Sequence, residues 1–523
     1  MGCPWLMGLT YCNVCFAIAC FFLLRSLLFQ KQKLLVNWPL VGTLPYALLN
    51  VHRIMDWIAD ILQANGCTVL LEGPWFSGMK ILATCDPRNL AHILSNAHFS
   101  NYNKGDGFTE IFDILGDGIL AADDGSWKVQ RKIAHSHFRN KRFRQLVAKT
   151  NQDKVEKGLV PVLQTAVEEA RPIDLQDIMK RFTFDATSIL VCGADPGCLS
   201  IGLPTVPFAQ ALDDANEVIL LRHTVPKFWR TLLKRLNMGM EKKYSDAWVI
   251  IDEYIENKIS TRREELQSRT PPPNNLEKEE EVADLLTLYM EYEMGEEEMA
   301  NLKSPKTFLR DTTINMLAAG RDTTSAALTW FFWLLSKNPS VEARILQELS
   351  SIPNPNPTTN KPRVFTSDNL GGLVYLHAAL YESLRLFPPV PLDHKGVVAP
   401  DILPSGHQVK PGMIIIYSIY AMGRMETIWG IDCLEFRPER WISEQGVITL
   451  DHRDKFFVFN AGPRSCLGKG VSLAQMKAVV AALLYNFELE VLQDQVVSPK
   501  TATTLHTKNG LMVKIRERAV AAA

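Results

Sequence analysis

One cysteine stands apart from the other nine. Cys466 lies in FFVFNAGPRSCLGKG (456–470), a loop of glycine, proline and arginine. A thiol there has three possible uses: packing, service in a phosphate-binding loop, or metal ligation. A Walker-type loop needs four residues between its first glycine and Gly-Lys, and then a hydroxyl residue. Here Gly462 and Gly468 are separated by five, and Lys469 is followed by Gly470, so spacing and hydroxyl both fail. GDGILA (116–121) matches a dinucleotide fingerprint formally but follows no strand pattern. The helix-like run CLGKGVSLAQMKAVVAALLYNF begins at Cys466 and predicts a sulfur at a helix N-terminus, where free amides favour a thiolate. Gly462 and Gly468 permit close backbone approach to something flat, Pro463 stiffens the turn, and Arg464 adds a cation. A single thiolate cannot hold a structural zinc, which takes four ligands. It suffices as the one axial ligand of a haem, whose porphyrin supplies four nitrogens. A packing cysteine accounts for any one of these features but not for Phe459, Gly462, Arg464, Cys466 and Gly468 together.

Other polar residues stand in equally particular places. MLAAGRDTTSAALTWFFWLL (316–335) is apolar nearly all round, which predicts a buried helix. Its middle carries Gly320, Asp322, Thr323 and Thr324. Glycine there costs about 1 kcal/mol against alanine, and threonine hydroxyls compete for the helix ladder. The stretch reads as a local widening, with Asp322 and Thr323 an acid–alcohol pair suited to passing protons; the alternative is a polar bend tolerated in a core helix. In YESLRLFPP, Glu382 and Arg385 share a helix face; exposed, such a pair contributes little. In DDGSWKVQRKIAHSHF, Trp127 and Arg131 share another face, and His135 and His137 are assigned no role.

The F-x-x-G-x-R-x-C-x-G pattern of Phe459, Gly462, Arg464, Cys466 and Gly468 resembles the haem loop of the cytochrome P450 monooxygenases. Ala319, Gly320, Asp322 and Thr323 match that family's A-G-x-D-T element. Glu382 and Arg385 match its E-x-x-R pair, and Arg440 in FRPERW (436–441) matches a third member, with Trp441 where phenylalanine is commoner. The resemblance runs from the hinge described below to TTLHTKNGLMVKI near the end. It implies one mainly α fold with a small β region, binding haem b (iron protoporphyrin IX) between a long buried helix and the cysteine loop. Cys466 is then the axial ligand, and Trp127 and Arg131 bond a haem propionate. Asp322 and Thr323 relay protons, and Glu382, Arg385 and Arg440 hold the core behind the loop.

The implied activity inserts one oxygen atom from O2 into an apolar substrate. The chain has no credible nicotinamide or flavin site, so electrons come from a partner, expected to be a membrane-bound NADPH-dependent reductase. IFDILGDGILAADDGSWKVQRK, GLPTVPFAQALDDANEVILLRHTVP and YAMGRMETIWGIDCLEFRPERW resemble the plant group that hydroxylates long-chain alkanes and fatty acids. A close branch couples phenols in alkaloid synthesis, a reaction that removes two hydrogens and inserts no oxygen. The intact Asp322–Thr323 pair favours hydroxylation; a non-catalytic haem protein is the remote third reading. The implied pocket segments are 108–120, 207–222, 315–323, 389–393 and 502–506, mostly apolar with Asp393 and His506 as exceptions.

The rest of the chain must position these groups. Its 523 residues fill one large domain or two ordinary ones, and no linker divides the body into two cores. Net charge is −1, with no basic run interleaved with aromatics and no zinc-finger spacing, which argues against nucleic-acid binding. Scattered cysteines argue against a disulfide framework and for a reducing compartment. LTYCNVCFAIACFFLLRSLLF (9–29) has the roughly 20 residues that cross a bilayer. Arg25, Lys31 and Lys33 on its C-terminal side put the body in the cytosol. The expected organisation is a membrane anchor over 1–30, a proline-rich hinge over 31–46, and a haem-thiolate domain over 47–523 facing the cytosol from the endoplasmic reticulum. A short hairpin is expected in TVLLEGPWFSGMKILATCDP, mostly helix over 125–350, and short strands near 395–418 and the C-terminus.

Overall fold

The computed structural model describes residues 35–518 apart from 36, 39, 224, 226, 269–283, 293–294, 355–360, 450 and 501. The anchor expected over 1–30 lies outside the described residues, as does part of the hinge. Among the described residues no helix is long and apolar enough to cross a membrane.

The helices that build the site are α1 (Asp124–Arg139), α2 (Leu175–Cys192), α3 (Pro207–Arg222), α4 (Gly239–Ser268), α5 (Phe308–Lys337), α6 (Val374–Leu386) and α7 (Lys469–Asn486). The expected buried helix is α5, 30 residues long and lined on nearly every face by neighbours. Leu328 and Phe331 of α5, Leu376 and Leu380 of α6, and Val479 and Leu483 of α7 share one buried cluster. Burying a side chain of this size contributes on the order of 1.5–3 kcal/mol, so this three-helix contact carries much of the stability. Ile314 and Leu317 of α5 join a second cluster with Trp127 of α1, Phe184 of α2 and Phe208 of α3.

The expected hairpin is present: β1 (Thr68–Glu72) pairs antiparallel with β2 (Lys80–Thr84). With β3 (Tyr102–Asn103), β4 (Leu392–Val397) and β5 (Ile414–Ser418) it forms a sheet in the order β1-β2-β5-β4-β3. Only the β2–β5 pair is parallel. A smaller sheet joins Ile173–Asp174, ahead of α2, to Phe487–Val491 and Met512–Glu517, tying the chain's end to the helical core.

The hinge is not a free spacer. Thr43 N–H donates to Glu72 O at 2.8 Å and Trp75 N–H to Leu40 O at 3.1 Å, which holds residues 40–43 against β1. Gly42 has φ +59°, and a Cβ there would stand 2.0 Å from Glu72 O. Pro45 sits in the first turn of the helix Leu44–Leu49, where its missing N–H is one of the amides left unpaired anyway.

Candidate active site

The Cys466 loop is a tight turn in front of α7. The Cys466 amide donates to Phe459 O at 2.8 Å, closing the loop. Asn460 and Gly462 take positive φ, +56° and +60°. At Gly462 the requirement is double, because a Cβ would lie 1.8 Å from Leu94 O. The helix starts at Lys469, three residues later than the sequence pattern suggests, and Gly468 is its N-cap with no side-chain cap. The amides of Gly468 and Lys469 are instead directed at the Cys466 sulfur. Burial pushes the Cys466 thiol up, opposed by those two amides and by the Arg131 guanidinium. The expected thiolate therefore does not follow from the helix terminus alone; a bound cation supplies what is missing.

Although the loop is enclosed by protein, the Cys466 side chain is accessible. So are parts of α5: Met316, Ala319, Gly320 and Thr323, spaced along one face of a largely buried helix, are only half-buried. Leu467, Val471 and Ala474 beside the cysteine pack on the same apolar cluster as Met316.

Cations surround the loop. Arg131, half-buried on α1, donates to Ser465 Oγ at 3.2 Å. Arg464 donates through one terminal nitrogen to Ala122 O at 2.7 Å and Asp123 Oδ1 at 2.6 Å. Its guanidinium lies 4.9 Å from the Trp127 ring centre, so both sequence-picked α1 residues meet the loop. Arg464 Nε is buried with no partner among the described residues. Lys395 on β4 is 2% exposed; burial, with Lys104 and Arg464 nearby, lowers its amine to about 7. A guanidinium nitrogen without a partner in the loop of an accessible cysteine, with a buried amine near that guanidinium, is the donor set for a flat anionic group with one axial ligand. The residues fit haem: Cys466 for iron, and Arg131, Arg464 and Lys395 for carboxylates.

On α5 the structure separates the acid from the alcohol. Thr323 Oγ1 donates to Ala319 O at 2.8 Å, and the helix runs unbroken through Gly320–Thr324. The expected widening is absent because Gly320 serves packing: a Cβ there would meet Thr187 of α2 at 2.6 Å. Asp322 turns toward α3. Its Oδ1 accepts from Arg321 at 2.8 Å and its Oδ2 from Asn216 at 2.8 Å. Arg321 also bonds Asp213 at 2.7 Å, and Lys180 reaches Asp213 at 2.8 Å. Burial raises the Asp322 carboxyl. Burial also acts on Asp213, but Arg321 and Lys180 outweigh it and hold its carboxyl low. His506, an expected polar exception in the pocket, is buried with Nε2 3.9 Å from Asp322 Oδ1. The other exception, Asp393, is taken up by Lys104 at 2.6 Å and Tyr417 at 2.6 Å.

Behind the loop, Glu382 and Arg385 are fully buried, and Arg385 bonds both carboxylate oxygens at 2.8 Å. Arg440 reaches Glu382 Oε1 at 3.3 Å, and Arg385 also donates to the carbonyls of Gly423, Cys433 and Glu435. Sequence reasoning missed Asp123, Asn216, Asp213, Lys395 and the role of Trp441. The one signal available was Arg321, a charge next to Asp322 in an apolar helix. Of the two histidines left without a role, His135 is exposed, and His137 packs on Phe143 with ring centres 4.3 Å apart.

Comparison with known proteins agrees with this geometry. The family profile for cytochrome P450 matches residues 37–515. The chain is 41% identical over 489 residues to alkane hydroxylase MAH1 of Arabidopsis thaliana, covering 94% of each chain. It is 39% identical over 524 residues to noroxomaritidine synthase 2 of Narcissus pseudonarcissus, covering 99% of this chain and 98% of the relative. The crystal structure of the cytochrome P450DA heme domain superposes with a TM-score of 0.72 at 20% identity, over 92% of this chain and 97% of that one, which shows a shared fold.

Proposed function

The chain belongs to the cytochrome P450 family of haem-thiolate monooxygenases, and from that premise we propose that it hydroxylates a long aliphatic chain, an alkane or a fatty acid, with Cys466 as the iron ligand. The observation that carries the substrate reading is the near full-length similarity to a plant alkane hydroxylase. A second reading, oxidative phenol coupling, rests on the similarly long match to noroxomaritidine synthase 2.

When bound, haem supplies the activation of dioxygen that no side chain provides. The protein's part is binding, orientation and proton control. The Cys466 sulfur would bind the iron, with the Gly468 and Lys469 amides supporting its charge. Arg131, Arg464 and Lys395 would hold the haem carboxylates, with Trp127 packed under Arg464. Asp322 is the candidate proton carrier: burial raises its carboxyl, while the Arg321 guanidinium and the Asn216 amide oppose that shift. Arg321 and Asn216 keep that carboxyl turned from Thr323, so delivery to the Thr323 hydroxyl needs a rotation of Asp322 or an intervening water. Phe459, Gly462 and Gly468 shape the loop.

Electrons come from a partner reductase. We infer that this is a membrane-bound NADPH-dependent enzyme, and that residues 9–29 anchor the chain in the endoplasmic reticulum with its body in the cytosol. Protease protection of microsomes tests the orientation: a body protected without detergent overturns it.

The deciding experiment is product mass. Full-length protein in microsomes with reductase and NADPH is offered long alkanes, fatty acids and phenolic amines. A chain product that gains one oxygen supports hydroxylation. A phenolic amine that loses two hydrogens replaces it with coupling.

A further inference from the structure

We propose that His92, His98 and Asp401, on the β-rich side of the molecule away from the polar residues of α5, form a binding site for a divalent transition-metal ion of the zinc type. One ligand atom from each of the three lies within 4.8 Å of the other two. His92 Nε2 is 2.8 Å from Asp401 Oδ2. The two imidazoles stack with ring centres 3.7 Å apart and planes inclined at 24°. Adjacent ligands around a zinc ion with bonds of about 2.0–2.1 Å stand roughly 3.3 Å apart, close to the spacing of these atoms; because an imidazole binds a metal in its own ring plane, one of the two stacked rings must turn out of the stack for both to bind the same ion. Two imidazoles and a carboxylate, with water in the fourth position, suit zinc, cobalt or nickel rather than magnesium or calcium, which take oxygen ligands.

The surroundings prepare the ligands. Ser95 Oγ donates its one proton to His92 O at 2.9 Å. It must therefore accept at its 3.0 Å contact with His98 Nδ1. That fixes the neutral His98 tautomer with the proton on Nδ1 and leaves Nε2 as a lone-pair donor. Tyr102 donates to Asp401 Oδ2 at 2.6 Å, orienting the carboxylate as outer partners of metal ligands do. Metal at His92 Nε2 requires only that the ring's proton move to Nδ1, the other neutral tautomer.

The site also has a route to the cysteine loop. His92 lies in the helix Pro87–Ile93, and Leu94 follows it directly. Leu94 O is the atom against which Gly462 packs. Phe99, next to His98, packs at a tilt of 42° against Trp127 with ring centres 4.9 Å apart. An ion joining His92, His98 and Asp401 would clamp this corner to the hairpin Asp401–Val409 and stiffen the support of the loop.

The test uses full-length, haem-loaded protein stripped of metal with a chelator. It is dialysed to equilibrium against Zn2+, and zinc per haem is measured by elemental analysis. One zinc per haem is expected. His98→Ala and Asp401→Asn should weaken binding more than about 100-fold, and Ser95→Ala about 10-fold. Zinc should also raise the temperature at which the haem absorbance of the wild type is lost. No stoichiometric zinc in the wild type, or unchanged affinity in His98→Ala, overturns the site. Should a variant fail to fold, the wild type alone decides: diethyl pyrocarbonate labelling of His92 and His98 is mapped by peptide mass with and without Zn2+. Protection of both supports the site, and equal labelling overturns it.

Discussion

The indole nitrogen of Trp441 donates to Glu382 Oε2 at 2.8 Å. Glu382, fully buried, also accepts from Arg385, Arg440 and the Arg437 amide. A buried carboxylate is tolerated only when its lone pairs are filled, and removing one partner of a buried ion pair costs about 3–5 kcal/mol. Glu382→Ala should lose at least that much, measured by urea unfolding of the haem-loaded protein. Trp441→Phe keeps the ring packing against Tyr381 and Phe456 but drops one donor, and should cost about 1–3 kcal/mol. A neutral Trp441→Phe would mean that the indole hydrogen bond to Glu382 adds no stability.

Thr323 and Asp322 are bonded to different partners, so they should fail differently. Thr323→Ala should raise peroxide release per NADPH consumed several-fold while NADPH oxidation continues, and Thr323→Ser should restore coupling. Asp322→Asn keeps a hydrogen-bonding side chain beside Asn216 but cannot hold a proton, and should slow turnover by about 10²-fold with a larger solvent isotope effect. An unchanged ratio of product to NADPH in Thr323→Ala removes the alcohol from the proton path.

Much of this arrangement was legible in the sequence, and what was not has a physical reason. Patterns local in the chain were readable: the 459–468 loop, the apolar α5, the β1–β2 hairpin, and the Glu382–Arg385 spacing, each set by turn chemistry or periodicity. Residues that matter through tertiary contact were not. Asp123 meets Arg464 across 341 positions, and Asn216 meets Asp322 across 106. Gly320 was read as a place where the helix opens, since a single glycine in a helix signals weakness. The structure shows the opposite use, a place where α2 comes close. Trp441 was discounted as a variation in an aromatic position, because sequence does not reveal that its nitrogen finds an acceptor.

Cys466 is the one residue whose replacement should change the kind of protein obtained. Cys466→His keeps a metal ligand, so haem should still load. The thiolate signature in the carbon monoxide difference spectrum should vanish and monooxygenase turnover with it. Retained turnover would exclude Cys466 as the axial ligand.

Lys395 gives the chain a pH dependence of predictable sign. Its amine is lowered to about 7, by burial first and then by Lys104 and Arg464, against about 10.4 in an unfolded chain. Between those values the unfolded chain holds the proton and the folded chain does not. Stability of the haem-free protein should therefore rise with pH across that window, and below about pH 7 the full penalty of a buried ammonium is present. Lys395→Met should flatten the rise and stabilise the haem-free protein at pH 6 by about 1–4 kcal/mol, measured by thermal unfolding across pH. The same scan on loaded protein tests the contact with haem. A propionate beside Lys395 favours the ammonium and moves the window to higher pH, so curves that coincide with and without haem would remove Lys395 from the anion site and leave Arg131 and Arg464 to hold the acidic edge.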